Sequence, residues 1–364
     1  MPSQTAIPFM MIRGGSSKGV YFNASDLPLD QQTRHAVLKH VMGAYGDPRQ
    51  IDGLGGADPL TSKIGIVSLS DRDDCQINFE FIQALVGEDR LDETPNCGNL
   101  LAGAGAFALE SGLIEAYGDE VEIAVFMVNS GKRCDLFFPV EAGLPVYVGD
   151  TVIDGVMGTS ASVMCRYHDL QGSSTGSVLP TGNVCNDFDG VQATCVDNGM
   201  PVVCLRAEDF GLVGQESPEE LNTNQVLKDR MESIRLQAGI AMGLGDVSDK
   251  AIPKMCLVSP ALKDGAFSTR TFIPKHCHKA IGVLGAVSVA TAALYEDSAI
   301  QDLAKVPEGL LRAMRIEHPS GKFDVELELN PECPDIEVVR AGLLRTARLI
   351  SRGKVFIPRG IWVK

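Results

Sequence analysis

Thr94-Pro-Asn-Cys-Gly-Asn-Leu-Leu-Ala-Gly-Ala-Gly-Ala-Phe-Ala-Leu-Glu-Ser-Gly-Leu113 is the stretch that decides the fold. From Cys97 to Leu113 it is nearly all Ala, Gly, Leu and other apolar residues. It reads as a helix that is apolar all round, and such a helix has to be buried on every side. A second stretch of the same kind runs Ala280-Ile-Gly-Val-Leu-Gly-Ala-Val-Ser-Val-Ala-Thr-Ala-Ala-Leu-Tyr295. Polar, Pro-containing approaches precede both: Thr94-Pro-Asn96 and Pro274-Lys-His-Cys-His-Lys279. The repetition suggests an internal duplication, each half a set of mainly antiparallel strands wrapped around one central helix. The two helix starts would then face a shared cleft. Two unrelated core helices are the other reading. The halves are expected at residues 1–150 and 151–364, with 144–158 as the crossover and the C-terminal strand able to pack back on the first half.

Working outward, short runs rich in β-branched residues read as strands: Ile64–Leu69, Gln76–Ile82, Val121–Val128, Leu136–Val140, Val202–Leu205, Lys254–Val258, Ser268–Ile273 and Lys322–Leu329. The last of these alternates strictly, with one face wet. Asp30–Tyr45 reads as a helix, as does Pro218–Gly243, with Ser217 at the N-cap and Pro218 at the first helical position. The fold class is therefore α/β, in the α+β sense.

The chain has 364 residues and about two domains' worth of length. Lys plus Arg number 32 against 47 Asp plus Glu, a formal net charge of -15, which speaks against nucleic acid as a partner. An acidic protein still accepts an anionic small molecule in a locally basic site. No stretch approaches the roughly 18 apolar residues of a membrane span. The first ten residues have no basic, apolar leader pattern. Ten cysteines occur without a C-x-x-C pair, so zinc and thioredoxin-like motifs lack support. Reduced thiols in a cytoplasmic protein are the simplest expectation.

Several constellations can carry chemistry. Gly103-Ala-Gly-Ala-Phe-Ala108 fits G-x-G-x-x-A, but no β-branched strand precedes it and its glycines fall inside the helix. Helix packing accounts for them better than a dinucleotide site does. Cys97-Gly-Asn99 opens that helix, where unpaired N–H groups favour thiolate and bind carboxylates; a buried structural cysteine is the alternative. Arg13-Gly-Gly-Ser-Ser-Lys-Gly19 lacks Walker spacing, yet offers flexible glycines, two hydroxyls and two cations to an anion, or is a solvated turn. Lys63 sits where Asp58-Pro-Leu-Thr-Ser62 becomes an apolar strand. A lysine partly buried there near other cations is suited to act as a base, although most strand-end lysines lie on the surface. His276-Cys-His278 is poorly spaced for one metal ion and, flanked by Lys275 and Lys279, looks more like a basic lip for an anion.

In combination these motifs resemble the PrpF branch of the diaminopimelate epimerase superfamily. Leu179-Pro-Thr-Gly-Asn183, Arg206-Ala-Glu-Asp-Phe-Gly211 and Pro274 through Ala286 extend the likeness over nearly the whole chain. The resemblance implies two related halves with a cleft, and proton transfer without cofactor or metal on a small polycarboxylate. The substrate it implies is an unsaturated tricarboxylate, 4-oxalomesaconate first, with aconitate or methylitaconate as alternatives; a homodimer is left open. It maps the family's lysine onto Lys63 and its first-half cysteine onto Cys97, the catalytic pair. Arg13, Ser16, Ser17, Lys18, Ser62, Asn96, Gly98 and Asn99 would bind substrate from the first half, and Arg270, Lys275 and His278 from the second. Amino-acid epimerases carry a second cysteine at the second helix start. Here that place reads His278-Lys-Ala-Ile-Gly-Val-Leu-Gly285, and Cys277 lies too early. A lysine/thiol isomerase is favoured over a two-thiol epimerase or a non-catalytic carboxylate binder.

On this reading proton transfer needs no added group. Activity is expected to survive dialysis against a strong chelator, with no nucleotide, flavin or pyridoxal phosphate supplied. Loss on chelation and recovery with one metal would overturn it.

Overall fold

A computed structural model describes residues 3–93 and 96–364; the Thr94-Pro95 approach singled out above lies outside the described residues. The chain forms two compact units, residues 1–166 with 344–364, and residues 167–343. The first is built from strands β1 (Gln4–Gly14), β2 (Ser17–Asn23), β3 (Lys63–Leu69), β4 (Ile77–Ala84), β5 (Leu91–Asp92), β6 (Glu120–Met127), β7 (Lys132–Glu141), β8 (Leu144–Pro145) and most of β9 (Ser162–His168), with helices α1 (Gln31–Met42), α2 (Gly98–Leu101) and α3 (Ala104–Glu110). The second contains β10 (Asn186–Phe188), β11 (Val191–Asp197), β12 (Pro201–Arg206), β13 (Lys254–Ser259), β14 (Phe267–Phe272), β15 (Leu311–His318) and β16 (Gly321–Leu329), with α4 (Pro218–Thr223), α5 (Gln225–Ala241) and α6 (Val283–Ala292). The long β17 (Val338–Pro358) starts in the second unit, pairing with β16, and ends in the first, pairing with β1 along Gln4–Gly14.

Strand pairing repeats. In the first unit β1–β2 is antiparallel, β2–β3 parallel, β3–β4 antiparallel, β4–β6 parallel and β6–β7 antiparallel. In the second, β11–β12, β12–β13, β13–β14, β14–β15 and β15–β16 follow the same alternation. Each unit also inserts one outer helical segment before its third strand of that set, α1 or α4–α5, and one apolar helix before its fifth. This is the topology of a duplicated unit.

The apolar helices are shorter than their sequence stretches. The first breaks after one turn at Ala102–Gly103, because close packing outweighs helix continuity there. A Cβ on Gly103 would stand 2.5 Å from the Tyr21 hydroxyl and 2.9 Å from Ile12. Tyr21, fully buried, donates its hydroxyl to the Leu100 carbonyl at the break, which also accepts from Gly103 N–H at 2.9 Å, and its ring stacks on Phe107 at 5.9 Å. Glycines at G-x-G-x-x-A are therefore packing positions: a Cβ on Gly105 would meet the Phe138 ring at 2.7 Å. On the outer face of the same strands, Val20, Phe22, Ile64, Ile66 and Ile82 pack with Val37, Leu38 and Val41 of α1. In the second unit α6 is pinned by buried hydrogen bonds: Asn198 N–H to Ser288 Oγ (3.0 Å) and Asn198 Nδ2 to Thr291 Oγ1 (2.9 Å).

Two boundaries differ from the sequence reading. Residues 144–158 are not a crossover but part of the first unit, held by Val146 N–H to Pro139 O, Thr151 N–H to Ser160 O and Ala161 N–H to Tyr147 O, so that unit runs on to Arg166. Helix Pro218–Gly243 is divided at Asn224, which takes an extended conformation and accepts from Leu227 N–H, capping α5. Ser217 forms the expected N-cap, in a full capping box with Glu220. No helix among the described residues is long and apolar enough to cross a membrane.

If the close approach at Gly103 positions the broken helix, Gly103→Ala should cost about 1–3 kcal/mol, the usual penalty of overpacking. Chemical denaturation of the purified variant measures it; unchanged stability would show that the contact yields freely.

Candidate active site

The hairpin β1–β2 turns through Gly15-Ser16, with positive φ at Gly15 alone (+52°). This Gly-x two-residue loop is among the tight connections that match strand twist. It lies against the start of α2: a Cβ on Gly14 would fall 2.4 Å from the Asn99 carbonyl, and one on Gly15 2.2 Å from Asn99 Oδ1. Asn99 Nδ2 donates to Ser16 Oγ at 3.2 Å, tying turn to helix. Cys97 is the N-cap of α2, its Sγ accepting from Leu100 N–H at 3.5 Å. It is half-buried, and Asn96 beside it is exposed. Burial, and then the neighbouring Cys97, hold the Tyr21 phenol well above the usual range.

Lys63 is the first residue of β3 and pairs with Gly19 of β2. Strand alternation puts Ser17, Gly19, Tyr21 and Lys63 on one face, the face that packs on α2 and α3. Lys63 is only 8 % exposed. Its Nζ donates to Gln83 Oε1 at 2.8 Å and lies 5.0 Å from the centre of the Phe81 ring. Among the described residues no carboxylate forms an ion pair with it. Ser17, 2 % exposed, has a buried hydroxyl with no hydrogen-bond partner among the described residues. An unsatisfied buried hydroxyl is costly, and a ligand oxygen would satisfy it.

Other residues picked from the sequence are placed elsewhere. Arg13 and Lys18 pair across the hairpin on the opposite face from Lys63. The Arg13 guanidinium is committed to scaffold, donating to Gly15 O (3.0 Å), Thr346 O (3.0 Å), Thr346 Oγ1 (2.7 Å) and Ser160 Oγ (2.9 Å). These hydrogen bonds brace the turn. Ser62 is fully buried and gives its hydroxyl to Gln50 Oε1 at 2.5 Å. In the second unit, Arg270 pairs with Leu257 and so faces the α4–α5 layer, not α6; it donates to Glu216 O (2.7 Å) and Thr269 O (2.9 Å). Lys275 forms an ion pair with Glu232 of α5 at 3.3 Å. A buried guanidinium and a nearby ammonium both need acceptors; the loop before α4 and strand β14 supply them to Arg270, and α5 supplies one to Lys275. His278 is exposed, its Nδ1 engaged with its own loop at Ala280.

Sequence reasoning missed Gln83, Phe81 and Tyr21. The available signal was Phe79-x-Phe81-x-Gln83, an alternating aromatic face ending in an amide; only the register brings that amide to Lys63. It also missed Lys254, which opens β13 as Lys63 opens β3, and whose ammonium is pushed below the usual lysine range by burial and then by Arg235. Among the described residues no group of three or more His, Cys, Asp or Glu is placed to hold a metal ion.

The duplicated units define a diaminopimelate epimerase-like fold, and a buried lysine beside a thiol-capped helix start suits proton transfer. The chain is 49 % identical over 359 residues to 4-oxalomesaconate tautomerase of Pseudomonas putida, covering 99 % of this chain and 98 % of that protein. The crystal structure of methylitaconate-delta-isomerase matches it with a TM-score of 0.90 at 29 % identity, over 100 % of this chain and 98 % of the other. A hydroxyproline epimerase from Agrobacterium vitis shares the fold, with a TM-score of 0.51 at 12 % identity over 97 % and 93 % of the two chains. The PrpF protein family matches residues 4–358, and the chain belongs to it. It is an isomerase.

The ten cysteines are all unbridged, and seven are buried. Alkylation of the native protein should therefore be confined to Cys97, Cys185 and Cys333. Burial raises the Cys185 thiol, so at neutral pH it should react slowly. Mass spectrometry of the labelled protein should show polycarboxylate protecting Cys97 alone. Equal protection at all three, or none, would place Cys97 away from the ligand.

Proposed function

We propose that this isomerase is a cofactor-independent tautomerase acting on an unsaturated tricarboxylate, with 4-oxalomesaconate as substrate. The observation that carries the reading is a buried ammonium without a carboxylate partner, on the same sheet face as the unsatisfied Ser17 hydroxyl. Such a surface favours an anion, and the closely similar Pseudomonas putida relative is named for that keto acid.

Lys63, as the free amine, takes a proton from the methylene between the ketone and the carbon–carbon double bond. The electron pair left on carbon delocalises onto the ketone oxygen as a dienolate. The Ser17 hydroxyl and the N–H groups of Gly98 and Asn99 offer fixed donors to the developing charge or to a neighbouring carboxylate; being set before the reaction, they need little reorganisation. The proton returns at the far end of the system, on oxygen for keto–enol exchange or on carbon for a double-bond shift. Cys97 is the second acid/base or an anion-site residue, with Ser16, Asn96 and Asn99 around it. Methylitaconate-type double-bond transposition is the second reading, favoured by the match to that isomerase's structure.

General-base catalysis contributes about 10²–10⁴-fold, so Lys63→Ala should lower turnover by that order while the protein still folds. Lys63→Arg should fail nearly as badly, because a guanidinium stays protonated. The decisive measurement is exchange of solvent deuterium into the substrate methylene by the Ala variant. Exchange at the native rate would remove Lys63 as the base and leave Cys97 in its place.

A further inference from the structure

Gln83 stands directly opposite Lys63 in the antiparallel β3–β4 pair. Its carboxamide is held at both ends. Nε2 donates to Ser62 O at 2.9 Å, with Pro59 O and Ala84 O each at 3.2 Å. Oε1 accepts from Lys63 Nζ at 2.8 Å. The orientation is unambiguous, because turning the amide over would set Oε1 against three carbonyl oxygens and an NH₂ against an ammonium. Two residues earlier on the same face, Phe81 places its ring beside the same Nζ, and its own backbone is fixed by Asn129, which accepts from Phe81 N–H and donates to Phe81 O, both at 2.8 Å.

We infer that Gln83 is the positioning residue that aims Lys63, a role resting on the assignment of Lys63 as the base. Oε1 can only accept. When Lys63 is a free amine, one of its N–H bonds must therefore point at Gln83, and its lone pair must point elsewhere. The amide thus fixes the direction from which the base takes a proton, and being uncharged it does so without holding the proton on nitrogen. A glutamate of the same size would supply an acceptor and a counter-charge together. The three carbonyls around Nε2 disfavour a carboxylate there, which makes glutamine the residue that fits both sides.

The test compares native protein, Gln83→Glu, Gln83→Asn and Lys63→Ala, each alone and with the Gln83 changes on the Lys63→Ala background. Gln83→Glu should move the rising limb of the rate–pH profile alkaline by about 1–3 pH units, the effect of a carboxylate on an adjacent cation. Gln83→Asn, a methylene shorter, should lower kcat at least tenfold with little change in KM. Neither change should further reduce the residual rate of Lys63→Ala. An unmoved pH profile in Gln83→Glu, or native kcat in Gln83→Asn, overturns the proposal while Lys63 remains the base. Equal losses on the Lys63→Ala background also overturn it, since the amide would then act through the fold. Should Gln83→Glu not fold, Gln83→Asn decides alone. Native deuterium exchange in Lys63→Ala is a separate failure, of Lys63 itself.

Discussion

A helix with no polar face can be buried only if the strands around it come close, and the first unit is organised by that constraint. Gly14, Gly19, Gly65, Gly103 and Gly105 all sit where a Cβ would strike a neighbour at less than 3 Å. Close approach at Gly103 interrupts the helix, and the interruption is made tolerable by a tyrosine whose hydroxyl finds the Leu100 carbonyl. Close approach at Gly14 and Gly15 likewise lays the Gly15-Ser16 turn against Asn99. The glycines that let the helix in thus also bring the turn and the helix start together.

Within that arrangement the charges are distributed sparingly. Arg13 lies one residue from the turn, yet its guanidinium is saturated by backbone and hydroxyl oxygens of the scaffold. Burial and then the facing Arg348 lower its basicity, consistent with a group held for structure. Lys63 is buried with a neutral amide and an aromatic ring. A buried cation without an anion is poorly compensated, so this surface favours a negatively charged neighbour.

The second unit shows how one topology carries different chemistry. Its pairing order and helix insertions repeat those of the first, but Arg270 and Lys275 lie toward the outer helical layer. Arg235 is fully buried and held by Glu232 and the carbonyls of Lys250 and Ile252. The Arg235 hydrogen bond is the main reason the Glu232 carboxyl lies below its ordinary range, and Lys275 joins the same carboxylate. Charges that look available in a list of residues are here the polar filling between sheet and helix.

The two apolar helices, the eight strands that pattern detects and the Ser217 cap are legible in the sequence. Each rests on local signals: periodicity, capping chemistry and apolar length. The helix break at Gly103, the division at Asn224, the long β17 and the reach of the first unit to Arg166 are not, because each depends on contacts between residues far apart in the chain. The same holds for the site. Residue types alone nominate Lys63, Cys97 and Ser17, but equally Arg13, Ser62, Arg270 and Lys275. Strand register, which turns alternate side chains to opposite faces, decides which of them share a surface. Gln83 shows the difference most plainly: the alternation Phe79-x-Phe81-x-Gln83 marks one face of a strand, but only the pairing of β3 with β4 sets its amide against the lysine.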